Sequence, residues 1–269
     1  MRRVRQAGLA VWAGLPALVG GVLVFASLPP VGFWPLAPVG LALWLGRLRG
    51  APTGRRFLYG WLFGLGLLVP GWRWMLEFSG PGYPVAVVLE ALYYAGAAAV
   101  VPPYRGRVPA FVAAVAGAGV ARSLYPFGGV PMAGIELGQA GAPLGGAARL
   151  GGVVAVLAVT AMAGAVLCLA VEALADRRAD RRRSQPADRG AGPAPVAVAC
   201  LVAVAAVTGA AAWLAPDGGA SVRRLKVAAV QGGGVRGLRA VDSDPGRVFD
   251  AQLAASALVS PGTPLVVWP

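Results

Sequence analysis

No histidine occurs anywhere in this sequence. That excludes Ser-His-Asp and Cys-His catalysis and removes the commonest zinc ligand. Cysteine is almost as scarce. Cys168 and Cys200 both lie inside apolar runs, where a free thiol behaves as a small hydrophobe, so neither a disulfide framework nor a metal site is indicated. Charge is thin as well: 13% of residues, well below the share in a soluble domain. What fills the chain instead is apolar, at 57% of its 269 residues. The net charge of +13 would suggest nucleic acid in a soluble protein. Here the basic residues fall mainly between apolar runs, which points to orientation in a membrane and not to a nucleic-acid partner.

A membrane-crossing helix needs about 20 mostly apolar residues. Seven stretches come close: 7–28, 31–46, 57–76, 84–102, 108–125, 150–171 and 194–215. The first, behind Arg2, Arg3 and Arg5, is long for a cleaved signal and is expected to be a retained anchor. The second carries Pro35 and Pro38 and is expected to be kinked or incomplete. The fourth is interrupted by Glu90. An intramembrane acid is a functional candidate by default, although it could equally face a wet cleft or pair with a neighbour.

Charge sets an expected topology. With the N-terminus in the cytoplasm, the inside segments hold Arg2, Arg3 and Arg5, then Arg47, Arg49, Arg55 and Arg56, then Arg105 and Arg107, then Arg177, Arg178, Arg181, Arg182, Arg183 and Arg189. The outside loops between spans hold only Arg73, Arg122 and Arg149. This is a positive-inside pattern, and it puts everything after residue 215 outside the cytoplasm. The basic stretch 176–193 is expected to be a cytoplasmic loop beside anionic headgroups. Arg73 and Glu77 are four apart at the outer end of the third span and read as a helical pair, or as a contact for a phospholipid headgroup. Trp72, Trp74, Tyr83 and Tyr104 read as interfacial anchors, and Trp61 and Tyr93 as packing between helices.

The tail has a different character. Residues 225–230 read as a buried strand, 246–258 as a weak helix with Phe249, Leu253 and Ala257 on one face, and 264–268 as a second strand. Strand, helix, strand is the opening of an α/β domain. Gly232, Gly234 and Gly237 fit G-x-G-x-x-G, but 238–245 has turn composition and ends in Pro245 where a helix should open. A nicotinamide site is therefore not expected, and the glycines read as a turn.

Four pieces of sequence resemble one family: GFWPLAP at 32–38, YGWLFGLGLLVPGWRW at 59–74, PFGGVPMAGIELGQAGAP at 126–143, and the tail with KVAAVQ at 226–231 and LVVWP at 265–269. In order and spacing they resemble the bacterial apolipoprotein N-acyltransferases of the nitrilase superfamily. The resemblance implies a plasma-membrane bundle followed by an extracytoplasmic nitrilase-like domain, of which 222–269 would be the incomplete first βαβ portion. It implies phospholipid-dependent N-acylation of the N-terminal S-diacylglyceryl-cysteine of apolipoproteins, with phospholipid and apolipoprotein as partners and no cofactor. The mechanism implied is a thioester on a catalytic cysteine, with a glutamate base and a lysine at the oxyanion.

By the same resemblance the catalytic glutamate follows a Trp-Pro, and Trp268-Pro269 end this chain. The three catalytic residues are thus expected beyond it, no catalytic residue within it, and the 269-residue chain by itself inactive. Phe127, Gly128, Gly129 and Gln139 are implied to contact substrate, against the simpler reading of a glycine turn that supports the bundle. Together with Arg73 and Glu90 they form the expected substrate-binding set. The family places a Trp and a Glu shortly before the residue matching Arg122, whereas 115–121 here reads VAGAGVA. A non-catalytic membrane scaffold derived from the family is the alternative reading. A transporter would show internal repeats and several mid-membrane polar groups, of which Glu90 alone stands out.

Overall fold

The computed structural model describes residues 2–126, 132–183, 193–214, 219, 221–233 and 244–268. The chain is mostly helical and separates into two compact units, residues 1–73 with 81–215, and residues 74–80 with 216–269.

In the first unit the helices follow the apolar runs. They are α1 (Arg2–Ser27), α2 (Leu36–Leu48), α3 (Thr53–Gly71), then, past α4 (Met75–Phe78) of the other unit, α5 (Gly82–Val100), α6 (Arg107–Leu124), α7 (Ala148–Arg183) and α8 (Pro193–Trp213). Among the described residues, Gly82–Val100, Arg107–Leu124 and Pro143–Asp176 are long and apolar enough to cross a membrane. Trp12–Ser27, Leu36–Leu48 and Pro195–Ala211 are apolar but shorter.

Boundaries move where local chemistry outweighs hydropathy. The second helix begins only at Leu36, because residues 28–35 fold into turns around Pro29, Pro30 and Gly32 (φ 68°). The third stops at Gly71, just past Pro70, short of the expected residue 76. Arg73 and Glu77 therefore do not share a helix, and the expectation of one continuous helix through both is corrected: Glu77 lies in α4. The helix expected to end near residue 171 runs on to Arg183, so 176–183 is not loop; alanine and arginine are strong helix formers. Near its start α7 bends at Gly151 and Gly152, the latter at φ 60°, a conformation glycine adopts without strain.

Helix α3 packs between α1 and α5, α2 packs on α1 and α7, and α6 joins α5 to α7. The crossings are made by glycine. A Cβ on Gly60 would strike the Tyr94 carbonyl, and one on Gly64 would sit 2.8 Å from Ala91 Cα, so α3 and α5 touch backbone to backbone. Gly21 and Gly66 do the same between α1 and α3, as do Gly20 and Gly40 between α1 and α2. Small residues that let backbones approach are how helices associate where lipid removes the hydrophobic drive. Four helices then meet in an aromatic cluster. Trp44 stacks on Phe63 at 4.2 Å, Phe111 meets Trp44 edge-on at 5.1 Å, and Tyr94 meets Phe63 edge-on at 5.4 Å. Such pairs add about 0.5–1.5 kcal/mol each beyond the area they bury.

In the second unit, β1 (Val227–Ala229) pairs in parallel with β2 (Leu265–Val267), Val227 opposite Leu265, and α9 (Pro245–Ser256) lies between them in sequence. The Asp244 side chain accepts from the Gly246 amide and caps α9, with Pro245 at its first position. Gln252 of α9 clasps the end of β1. Its Nε2 donates to the Val230 carbonyl at 2.8 Å, and its Oε1 accepts from the Gly232 amide at 2.6 Å. Gly232 is glycine because a Cβ there would meet the Gln252 amide nitrogen at 2.6 Å. The expected buried strand is corrected: Val227 is half exposed, since two strands and one helix cover only part of a sheet face. Gly234 and Gly237 lie outside the described residues.

Candidate functional site

Helix α5 carries Glu90 and Tyr94, four residues apart and so on one face. Helix α6 ends with Arg122 in its last turn. These three meet. Arg122 Nε donates to Glu90 Oε2 at 2.9 Å, one terminal nitrogen donates to the Tyr94 hydroxyl at 2.8 Å, and the other donates to the Met132 carbonyl at 2.9 Å. The Arg122 and Glu90 side chains are 2% and 5% exposed, so this is a fully internal ion pair. A buried charge is tolerable only when paired and hydrogen-bonded throughout, and Arg122 uses all three of its nitrogens.

The segment after α6 is held by this cluster. Trp72 is buried, and its indole Nε1 donates to the same Met132 carbonyl at 3.0 Å. Two donors thus engage both lone pairs of one backbone oxygen. Trp72 was expected at the membrane interface; the structure turns it inward, where it braces the chain. Beyond Met132 the segment forms 3-10 turns at Ile135–Gln139 and Pro143–Ala147. Gln139 is fully buried and donates to the Trp34 carbonyl at 3.3 Å, joining this segment to the turn before α2. Its Oε1 is buried without a partner among the described residues. Burial raises the Glu136 carboxyl above its ordinary range, partly opposed by a backbone hydrogen bond and by Arg122.

A groove of about 780 Å³ opens beside the cluster between α5 and α6. Glu90, Tyr93 and Tyr125 supply its polar edge, and its walls are otherwise apolar. Gly96 and Gly117 line it with open space where a side chain would stand. The Tyr93 hydroxyl donates to the Tyr125 carbonyl at 2.9 Å, and Trp61 donates to the Val88 carbonyl at 3.3 Å, so both do pack between helices.

Of the expected site residues, Glu90 and Gln139 come to the same end of the bundle, one through Arg122 and Met132, the other through Trp34. Arg73 is exposed just past α3. Phe127, Gly128 and Gly129 lie outside the described residues. Tyr94 escaped the sequence reading, although it stands one helical turn from Glu90, and Trp72 was singled out there for a different role. No group of three potential ligands able to hold a metal occurs among the described residues. Cys168 is buried, Cys200 is half-buried, and the Cys168 thiol faces Glu172 of its own helix at 3.5 Å.

Comparison with known proteins gives a consistent result. A family model described as "Apolipoprotein N-acyltransferase N-terminal domain" matches residues 20–166. Aligned over its whole length, the chain is 31% identical to an apolipoprotein N-acyltransferase of Azotobacter vinelandii, covering 52% of that protein. It is 30% identical to one of Pseudomonas putida, covering 53%. Over 36% of the chain and 20% of the relative, it is 33% identical to one of Pseudomonas aeruginosa. The chain therefore spans about half the length of the curated relatives it matches from end to end.

Proposed function

The chain belongs to the apolipoprotein N-acyltransferase family, and from that premise we propose that its gene product transfers an acyl chain from a membrane phospholipid to the N-terminal S-diacylglyceryl-cysteine of apolipoproteins. The family match across residues 20–166 carries this reading, and both relatives aligned over the whole chain are named apolipoprotein N-acyltransferase.

All seven apolar helices cross the plasma membrane, with the N-terminus in the cytoplasm and residues from 216 onward outside it. The distribution of arginine supports this orientation. Arg47, Arg49, Arg55, Arg56, Arg105 and Arg107 gather where α2 and α5 end and α3 and α6 begin, against Arg73, Arg122 and Arg149 at the opposite ends. Residues 222–269 form the opening strand, helix and strand of a nitrilase-like domain, a reading favoured by the parallel pairing of β1 and β2 around α9. Chemistry on a carbonyl belongs to that domain, while Cys168 and Cys200 lie buried and half-buried in the helices of the bundle.

Within the bundle, the Arg122–Glu90–Tyr94 cluster anchors Met132, where the described segment from 132 to 143 begins. Phe127, Gly128 and Gly129, which precede it in the chain, contact substrate, Gln139 holds the segment from beneath, and Arg73 meets a phospholipid headgroup. The apolar groove between α5 and α6 suits one acyl chain of the donor.

The test is complementation. The gene is expressed in a bacterium depleted of its own lipoprotein N-acyltransferase, and N-terminal lipopeptides are analysed by mass spectrometry. Triacylated lipopeptides are expected. If lipopeptides stay diacylated while the protein is present in the membrane, the enzyme reading fails and a non-catalytic scaffold replaces it.

A further inference from the structure

At the other end of the bundle lies a second groove, of about 630 Å³, between α2 and α7. Its long walls are apolar, built from Pro16, Val39, Leu43, Leu167 and Val171. Its charged and polar lining is Arg47, Arg49, Cys168 and Glu172. Helix α7 belongs to a stretch long and apolar enough to cross a membrane, and in the membrane orientation proposed above the open side of this groove faces lipid.

The charges do not cancel. One Arg107 nitrogen reaches both Glu172 oxygens at 2.7 Å and already neutralises that carboxylate. Arg49 stands farther off, 3.4 Å from Glu172, with its side chain about half exposed. Arg47 lies over the Tyr59 ring at 5.5 Å, and its Nε is buried without a hydrogen-bond partner among the described residues. The other terminal nitrogen of Arg107 is also buried and unpartnered among the described residues. Arg47 and Arg49 thus line the end of an apolar trough whose one carboxylate is already taken by Arg107, and they form the complement of an anionic amphiphile.

We propose that the α2–α7 groove holds one anionic glycerophospholipid, its acyl chain along Leu43, Leu167 and Val171 and its phosphate on Arg49 and Arg47. This lipid is a resident of the bundle, distinct from the acyl donor, and the proposal stands or falls independently of the reaction proposed above.

The experiment uses the purified full chain in detergent, with lipid binding read by native mass spectrometry and folding checked by circular dichroism. Phosphatidylglycerol is expected to bind more tightly than phosphatidylcholine. Arg49→Ala is expected to weaken phosphatidylglycerol about fivefold, the effect of removing one cation at a membrane surface, and to leave phosphatidylcholine unchanged. Val171→Trp, at a 66% exposed position, keeps every charge, fills the trough and is expected to abolish the bound lipid. Equal binding of the two lipids would overturn the proposal, as would a Val171→Trp protein that binds normally. Displacement of the lipid by soluble glycerol phosphate at equal concentration would also overturn it, because the site would then be for free phosphate.

Discussion

The two ends of the bundle each contain a deeply buried arginine facing a glutamate from another helix, and they use it differently. Arg122 closes a circuit. Each of its nitrogens has a partner, and one partner is a backbone carbonyl that starts the next segment of chain. Arg107 leaves its circuit open. One nitrogen takes the whole carboxylate, another is buried unsatisfied, and a second cation, Arg49, competes for the same glutamate. A closed circuit fixes structure, whereas an open one keeps charge in reserve for something outside the protein. The same residue types at the two ends thus serve positioning and reception.

The largest effect is expected from Arg122→Ala. It strands Glu90 in the interior and releases Met132, so stability should fall by about 3–5 kcal/mol. Thermal denaturation in detergent reads the loss, and the expressed gene product should lose acyl transfer with it. A midpoint near that of the parent chain would show that the circuit is not closed. Arg107→Ala should cost less, about 1–3 kcal/mol, because Glu172 keeps Arg49 within 3.4 Å. A larger loss than for Arg122→Ala would reverse the contrast between the ends. Arg49→Ala should change stability by about 0–1 kcal/mol, as a half-exposed pair does, even as it weakens lipid binding.

The smallest effect is a change of slope. Burial raises the Glu136 carboxyl, so the folded protein keeps that proton to higher pH than the unfolded chain does. Its contribution is full below the ordinary carboxylate range and is lost as pH rises through the raised value. Glu136→Gln should flatten the decline in melting temperature across that interval. An unchanged profile would mean that Glu136 is as well hydrated in the fold as out of it.

Much of this arrangement was legible in the sequence, because hydropathy period and arginine placement report on solvent. The places of the long bundle helices in the chain follow the apolar runs. The ends of α2, α3 and α7 did not, because turns and helix propensity set them locally. Glu90 stood out as an acid in an apolar run. Its partner did not, since Arg122 is on another helix and 115–121 offers no acid; the pairing exists only once α5 and α6 pack. Trp72 misled for a related reason: an aromatic at a helix end looks the same whether it meets headgroups or a carbonyl. In the tail, strand and helix positions were readable, but the Gln252 clasp spans about twenty residues and carries no local signal.

The glycine crossings have a genetic consequence. Every missense change at a glycine codon adds at least one carbon atom, and at Gly21, Gly60 and Gly66 that carbon would fall on the backbone of a neighbouring helix. No substitution there is conservative. In a saturation library these codons should be among the least tolerant in the gene, and Gly60 lies against Tyr94 of the Arg122 cluster itself.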